Sequence, residues 1–415
     1  MKEIISQQET KYINRRITSK IREIVEQFPV MVLTGARQVG KSTLLRHEFP
    51  DFSYCTLDDF AVREQAKVDP QSLWHGTDRL IIDEAQKQPE LFDAIKMAVD
   101  SSQRRKKFIL SGSANLLLMK TVTESLAGRA LYVELGPMTY GELCGAGEAG
   151  NFIGLWNPDH HETERVVGSV DPLPLLLRGF MPPLVEAVQH REVLNWLEGY
   201  VRTYLERDLR ELSQVDSLID FRRVMQSLAL RTGSILNQAD VAKDSRISHP
   251  TTHRYIKLLE VSNVINRIPA YSVNRNKRLV KSPKIFFVDP ALAIFLSGYY
   301  DAESLGKCRE LGGYFETLVG HHLRTLCEGM TPRASLCYWR TTTGKEVDFV
   351  VEHGKRLLAF EVKLTSRPTV YDIHNLLLFL EEYPETVRGV LVHGGERVQW
   401  LHSKVIAVPW WWLDV

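Results

Sequence analysis

The apolar run Val30-Met31-Val32-Leu33 leads straight into Gly35-Ala36-Arg37-Gln38-Val39-Gly40-Lys41-Ser42, and few patterns restrict a fold more tightly. The run reads as a strand and the residues after Lys41 as a helix, which puts a phosphate-binding loop between them. Its glycines let successive backbone N–H groups curl around phosphate oxygens, and the helix aims its positive end at them. Lys41 adds a point charge for the outer phosphates and the Ser42 hydroxyl a magnesium ligand, with Thr43 completing the stretch. The pattern implies a site for ATP with Mg2+.

The second half of such a site is expected where an apolar strand ends in acids, and Arg79-Leu80-Ile81-Ile82-Asp83-Glu84 is that arrangement. Asp83 would hold the metal and Glu84 would face the attacking water as general base. Taken alone, the two acids could equally cap a following helix. Phe108-Ile109-Leu110 runs into Ser111-Gly112-Ser113, whose hydroxyls could bond the terminal phosphate or simply make a turn. Arg129 could reach a neighbouring subunit's nucleotide and stabilise transition-state charge, or serve as a surface salt-bridge residue. The expected strands are Val30 to Thr34, Phe52 to Leu57, Leu80 to Asp83, Phe108 to Ser111 and Leu131 to Leu135. Alternating with amphipathic helical stretches, they predict a parallel sheet covered by helices. Residues 137–212 read as mainly helical, with a polar loop or insertion near 144–171.

Further along, Leu236 to Ala242 and Ser248 to Leu259 read as two helices joined at a sharp angle, the grammar of a helix-turn-helix. Ser248 is placed to cap the second helix, with Pro250 in its first turn. Tyr255, Leu258 and Leu259 form an inward stripe, which leaves Thr251, His253, Arg254 and Lys257 outside, where they could enter a DNA groove. Arg275, Lys277 and Arg278 lie in a basic, strand-like stretch positioned as the wing of a winged helix and could neutralise phosphates. The same module could instead pack an ATPase against an effector domain.

Two strands, Glu346 to Glu352 and Arg356 to Lys363, are expected around a Gly354-Lys355 turn. Pairing His353 with Arg356 sets Asp348 opposite Glu361, with Cβ atoms roughly 5 Å apart, where like charges repel. A divalent cation between them would reverse that sign. Lys363 shares the face of Glu361 and could orient or activate a water on the metal, and Glu316 on the preceding helix is a candidate further ligand. The acid followed by Glu-x-Lys resembles the restriction-endonuclease-like (PD-(D/E)XK) nuclease superfamily, with Val347 where some members carry proline. The bland alternative is a hairpin with a solvent-facing Glu-Lys pair.

The loop at Gly35, Leu57-Asp58-Asp59, Ile81-Ile82-Asp83-Glu84-Ala85-Gln86, Ser125-Leu126-Ala127-Gly128-Arg129, Tyr200 to Leu209 and Gly312-Gly313-Tyr314-Phe315-Glu316 are spread along the chain, so the match they carry covers nearly all of it. They resemble prokaryotic AAA-type (P-loop) ATPases with a C-terminal domain of unknown function. The resemblance implies an AAA core, ATP hydrolysis and a homo-oligomer, a hexameric ring among the options. The expected α/β fold is a P-loop AAA-type parallel-sheet core (1–136), a helical lid (137–212), a winged-helix-like domain (213–300) and a restriction-endonuclease-like α/β domain (301–415). Near-equal Lys plus Arg (52) and Asp plus Glu (51) give no global field toward nucleic acid, so any DNA contact must be local. A charged start without a long apolar stretch points to the cytoplasm and no membrane. The expected function is ATP hydrolysis that acts on duplex or branched DNA by remodelling, translocation or metal-dependent cleavage through the C-terminal domain; the competing reading is a nucleotide-switched regulatory or scaffold protein with an inactive nuclease-like docking domain.

Overall fold

The computed structural model describes residues 12–112, 126–159, 161–208, 217–274, 278 and 281–415. Five parallel strands form the first sheet: β1 (Val30–Thr34), β2 (Ser53–Thr56), β3 (Arg79–Asp83), β4 (Lys107–Ser111) and β5 (Ala130–Glu134). Their order is β2-β3-β4-β1-β5. Side chains alternate between two buried faces: Met31, Leu33, Ile81 and Ile109 pack to one side, and Val30, Val32, Leu80, Ile82, Phe108 and Leu110 to the other. That period-two burial on both faces is why these runs are apolar throughout. Because every strand points the same way, the ends of β1, β3 and β4 meet at one edge. β4 lies between β1 and β3, so Ser111 stands between the phosphate loop and Asp83.

Helices Pro172–Arg178, Pro182–Val185 and His190–Tyr200 follow, and the last continues as a π-helix over Val201–Asp208. The stretch near 144–171 is more than a loop: β6 (Arg165–Val166) pairs with a strand of the C-terminal sheet. Its polar sequence is that of a two-residue edge strand, exposed at both positions.

The middle region contains helices Leu218–Ala229, Gln238–Ser245 and His249–Val261, with β7 (Ser234–Ile235), β8 (Ile265–Ile268) and β9 (Lys284–Phe287) in the order β7-β9-β8. The Ser248 side chain accepts from Thr251 N at the start of the third helix. Tyr255, Leu258 and Leu259 are buried while His253, Arg254 and Lys257 are exposed.

Seven strands form the last sheet, in the order β10-β11-β12-β13-β15-β14-β6. They are β10 (Ser335–Arg340), β11 (Glu346–His353), β12 (Arg356–Lys363), β13 (Thr386–His393), β14 (Arg397–His402) and β15 (Val405–Pro409). β11 and β12 pair antiparallel from His353↔Arg356 to Phe349↔Phe360, the register expected from the Gly354-Lys355 turn. Helix His374–Glu382 covers one face through Leu376 and Phe379. Helix Leu311–Gly329 covers the other, and Gly320 lets it approach closely, since a Cβ there would lie 2.7 Å from the Phe349 ring. Among the described residues no helix is long and apolar enough to cross a membrane.

Candidate active site

The turn after β1 needs glycine at two positions. Gly35 has φ +151° and an added Cβ would run into the Leu135 carbonyl, while Gly40 has φ +91° and opens helix Lys41–Glu48. Lys41 is 7% exposed, and its ammonium donates to the carbonyls of Gly35 (3.0 Å) and Ala36 (2.9 Å) within its own loop. Burial lowers its pKa to about 8 against the pull of Glu84 and Asp83, so it remains mainly protonated at neutral pH.

Asp83, at the end of β3, is the hub. Its Oδ2 accepts from Ser42 Oγ (2.5 Å) and Tyr54 OH (2.7 Å), and its Oδ1 from Ser111 Oγ and Glu84 N (3.0 Å). Burial opposes its charge, yet these donors outweigh it and hold the carboxyl below the ordinary aspartate range. Glu84 follows in the left-handed region, φ 55°, where β3 ends. Burial raises its pKa, and Gln86 donates to it.

Two sequence expectations change here. Ser111 donates to Asp83, because β4 brings the end of its strand alongside β3; its hydroxyl serves the carboxylate before any phosphate. Arg129 lies at the start of β5, the sheet edge opposite to the phosphate loop, and forms a two-point ion pair with Asp100 at 2.7 and 2.8 Å. Within this chain its guanidinium is engaged as a surface salt-bridge residue's would be. Ser113 lies outside the described residues.

Sequence reading missed the groups that hold the loop from behind. Arg15, 4% exposed, donates to the carbonyls of Val39 (2.9 Å) and Gly136 (2.7 Å) and pairs with Glu142 at 3.2 Å. Tyr204, on the π-helical stretch, carries Arg37 over its ring at 5.5 Å and donates its hydroxyl to the Ser262 carbonyl at 3.4 Å. Tyr200 donates to the Arg37 carbonyl at 3.3 Å. Only the aromatic spacing in Tyr200 to Tyr204 signals this cover in the sequence.

Residues 27–144 match the family model "AAA domain", residues 173–303 "Domain of unknown function (DUF8612)" and residues 311–413 "Domain of unknown function (DUF4143)". Uncharacterized proteins of Mycobacterium tuberculosis and Mycobacterium bovis are each 32% identical over 398 residues, spanning 95% of this chain and 83% of theirs. The chain belongs to their family, an AAA-type P-loop ATPase family. Among solved structures it is similar to the Walker-type ATPase PABY2304 of Pyrococcus abyssi, at 19% identity, TM-score 0.45, 69% of this chain and 96% of that one.

In this AAA-type ATPase the residues singled out for DNA divide into two groups. Thr251, His253, Arg254 and Lys257 share the outer side of helix His249–Val261, although His253 Nδ1 is 3.0 Å from Gln238 and Lys257 3.2 Å from Glu260. Arg278 departs from expectation: it pairs with Glu352 of β11 at 2.6 and 3.1 Å and donates to the Ser272 carbonyl at 2.6 Å. It fastens the segment to the C-terminal sheet, so its charge is spent within the protein. Arg275 and Lys277 lie outside the described residues.

The carboxylates do converge, with a cation that sequence reading did not foresee. Lys284, opening β9, places its ammonium 2.6 Å from Glu316, 2.6 Å from Glu346 and 3.3 Å from Asp348. Asp348 Oδ2 accepts from Val362 N at 2.9 Å, and Lys363 pairs with Glu361 at 2.8 Å. Burial, then Asp348, pushes Glu361 up to about 8 against the pull of Lys363. Among the described residues no group of three or more His, Cys, Asp and Glu is arranged to hold a metal ion. A divalent cation at Glu316, Asp348 and Glu361, with Lys363 beside its water, does not fit this arrangement, because a lysine already stands among the acids.

Proposed function

We propose that the protein is a magnesium-dependent ATP hydrolase whose nucleotide state repositions a DNA-contacting winged-helix-like module. The observation that carries the reading is the four-point hold on Asp83 beside Ser42, with Glu84 next in the chain. A carboxylate kept anionic within hydrogen-bond distance of a hydroxyl is the hard oxygen donor set magnesium takes, so Ser42 and Asp83 would hold the ion. Bound there, magnesium neutralises charge on the phosphate oxygens. Lys41 now donates to two loop carbonyls, and a triphosphate would draw its ammonium outward onto phosphate. Gly35 to Thr43 would cradle the phosphates, with Ala36, Arg37, Gln38 and Val39 presenting backbone N–H groups. Glu84 would orient the attacking water and accept its proton.

Coupling to the middle module has a physical route. Tyr204 touches Arg37 of the loop and the Ser262 carbonyl at the end of helix His249–Val261, so a shift of the loop is felt by the helix that presents Thr251, Arg254 and Lys257. The β7-β9-β8 sheet beside the helices supports the winged-helix reading. This reading predicts ATP turnover that rises several-fold with duplex DNA, and duplex affinity that falls steeply with salt. Turnover indifferent to every DNA form would leave the second reading, a nucleotide-switched scaffold whose restriction-endonuclease-like C-terminal domain docks a partner and cuts nothing. Lys284 among the carboxylates favours that role for the C-terminal domain over cleavage.

A further inference from the structure

The Lys284 ammonium donates to Glu316 on helix Leu311–Gly329 and to Asp348 on β11, and forms a third ion pair with Glu346 of β11. Lys284 is 1% exposed, so its ammonium is shielded from bulk solvent. Of the surrounding oxygens, Glu346 Oε2 takes Arg340 at 2.9 Å, Asp348 Oδ2 takes Val362 N and Glu361 Oε1 takes Lys363, while the buried Glu361 Oε2 has no hydrogen-bond partner among the described residues. Burying these acids unpaired would cost several kcal/mol each, as a rough figure. Burial pulls the lysine's pKa down, but Glu316, Asp348 and Glu346 together hold it above the ordinary lysine range.

We propose that Lys284 is the resident cation of this cluster. β9 inserts it from the middle region into acids contributed by the C-terminal sheet and its covering helix, so the cluster latches the two together and takes no divalent metal while the lysine is seated. Magnesium or manganese would need about six oxygen ligands near 2.1 Å around a centre that the ammonium fills. Arg278, paired with Glu352, and the bridge between Ala270 and Tyr338 fasten the same joint at two further points.

Binding of Mn2+ to the nucleotide-free full chain, followed by the electron paramagnetic resonance of free Mn2+, tests the latch. Wild type and Asp348→Asn should bind equal amounts. Lys284→Met should gain one Mn2+ per chain, Lys284→Arg should gain none, and Lys284→Met/Asp348→Asn should lose the gain. Overturning results are a wild-type Mn2+ that Asp348→Asn abolishes, Mn2+-dependent nicking of supercoiled DNA that Asp348→Asn abolishes, or a folded Lys284→Met that gains nothing. Should Lys284→Met fail to fold, the comparison of wild type with Asp348→Asn, which keeps the acceptor for Val362 N, still decides.

Discussion

Asp83 shows how one residue sets a site. Left alone at the end of a buried strand its charge would be costly, and Ser42, Ser111 and Tyr54 offset that cost with hydroxyl donors from three other elements. Gly35 is as constrained by shape as Asp83 is by charge. Gly35→Ala should cost about 2 kcal/mol or more of stability, because φ +151° is strained for any L side chain and the Leu135 carbonyl fills the space; urea unfolding and nucleotide titration check it, and a wild-type-like variant would contradict it. The loop and the Asp83-Glu84 pair were legible in the sequence because their chemistry is contiguous. Tyr54 and Arg15 were not, since their partners lie 29 and 24 residues away and nothing local marks them. Lys284 was hidden for the same reason, 32 residues before Glu316 and 64 before Asp348.

Among the elements, the β11–β12 hairpin was the most readable, since a two-residue turn fixes every pair beyond it. The β6 strand was unreadable: two exposed residues carry no period, and only the edge of β14 gives them one. Helix Pro290–Leu296 carries its own pH dependence. Its cap Asp289 is 1% exposed and accepts from Phe180 N (2.7 Å) and Ala291 N (2.8 Å). Burial nevertheless pushes it up from 3.8 to about 6, against those bonds. A folded-state value above the unfolded one means that its contribution is full below pH 3.8 and is lost as pH rises through about 6. That loss amounts to about 3 kcal/mol. Relative to Asp289→Asn, wild-type stability should therefore fall between pH 4 and pH 7 in urea unfolding; a constant difference would contradict the assignment.

At the scale of the molecule, the two ends of the described chain meet. Arg16 pairs with Asp414 at 2.8 Å, Asp414 Oδ2 accepts from Gly141 N at 2.5 Å, and neighbouring Arg15 reaches both Glu142 and the phosphate-loop carbonyl of Val39. The Asp414 side chain is fully buried, so Asp414→Ala should leave the Arg16 charge uncompensated and cost roughly 3–5 kcal/mol, read as a lowered urea midpoint. A change under 1 kcal/mol, by the rough worth of an exposed pair, would show the clasp to be peripheral. No pattern announces such a contact between residues 398 apart. ATP hydrolysis is expected at the edge where β1, β3 and β4 end, with Glu84 taking the proton. Phosphate release from magnesium-ATP by the full chain, wild type beside Glu84→Gln, tests it most directly. The wild type should turn over measurably and Glu84→Gln should lose at least ~100-fold with nucleotide binding retained; equal turnover in the two proteins would remove Glu84 as the base, and none in the wild type would remove the hydrolase.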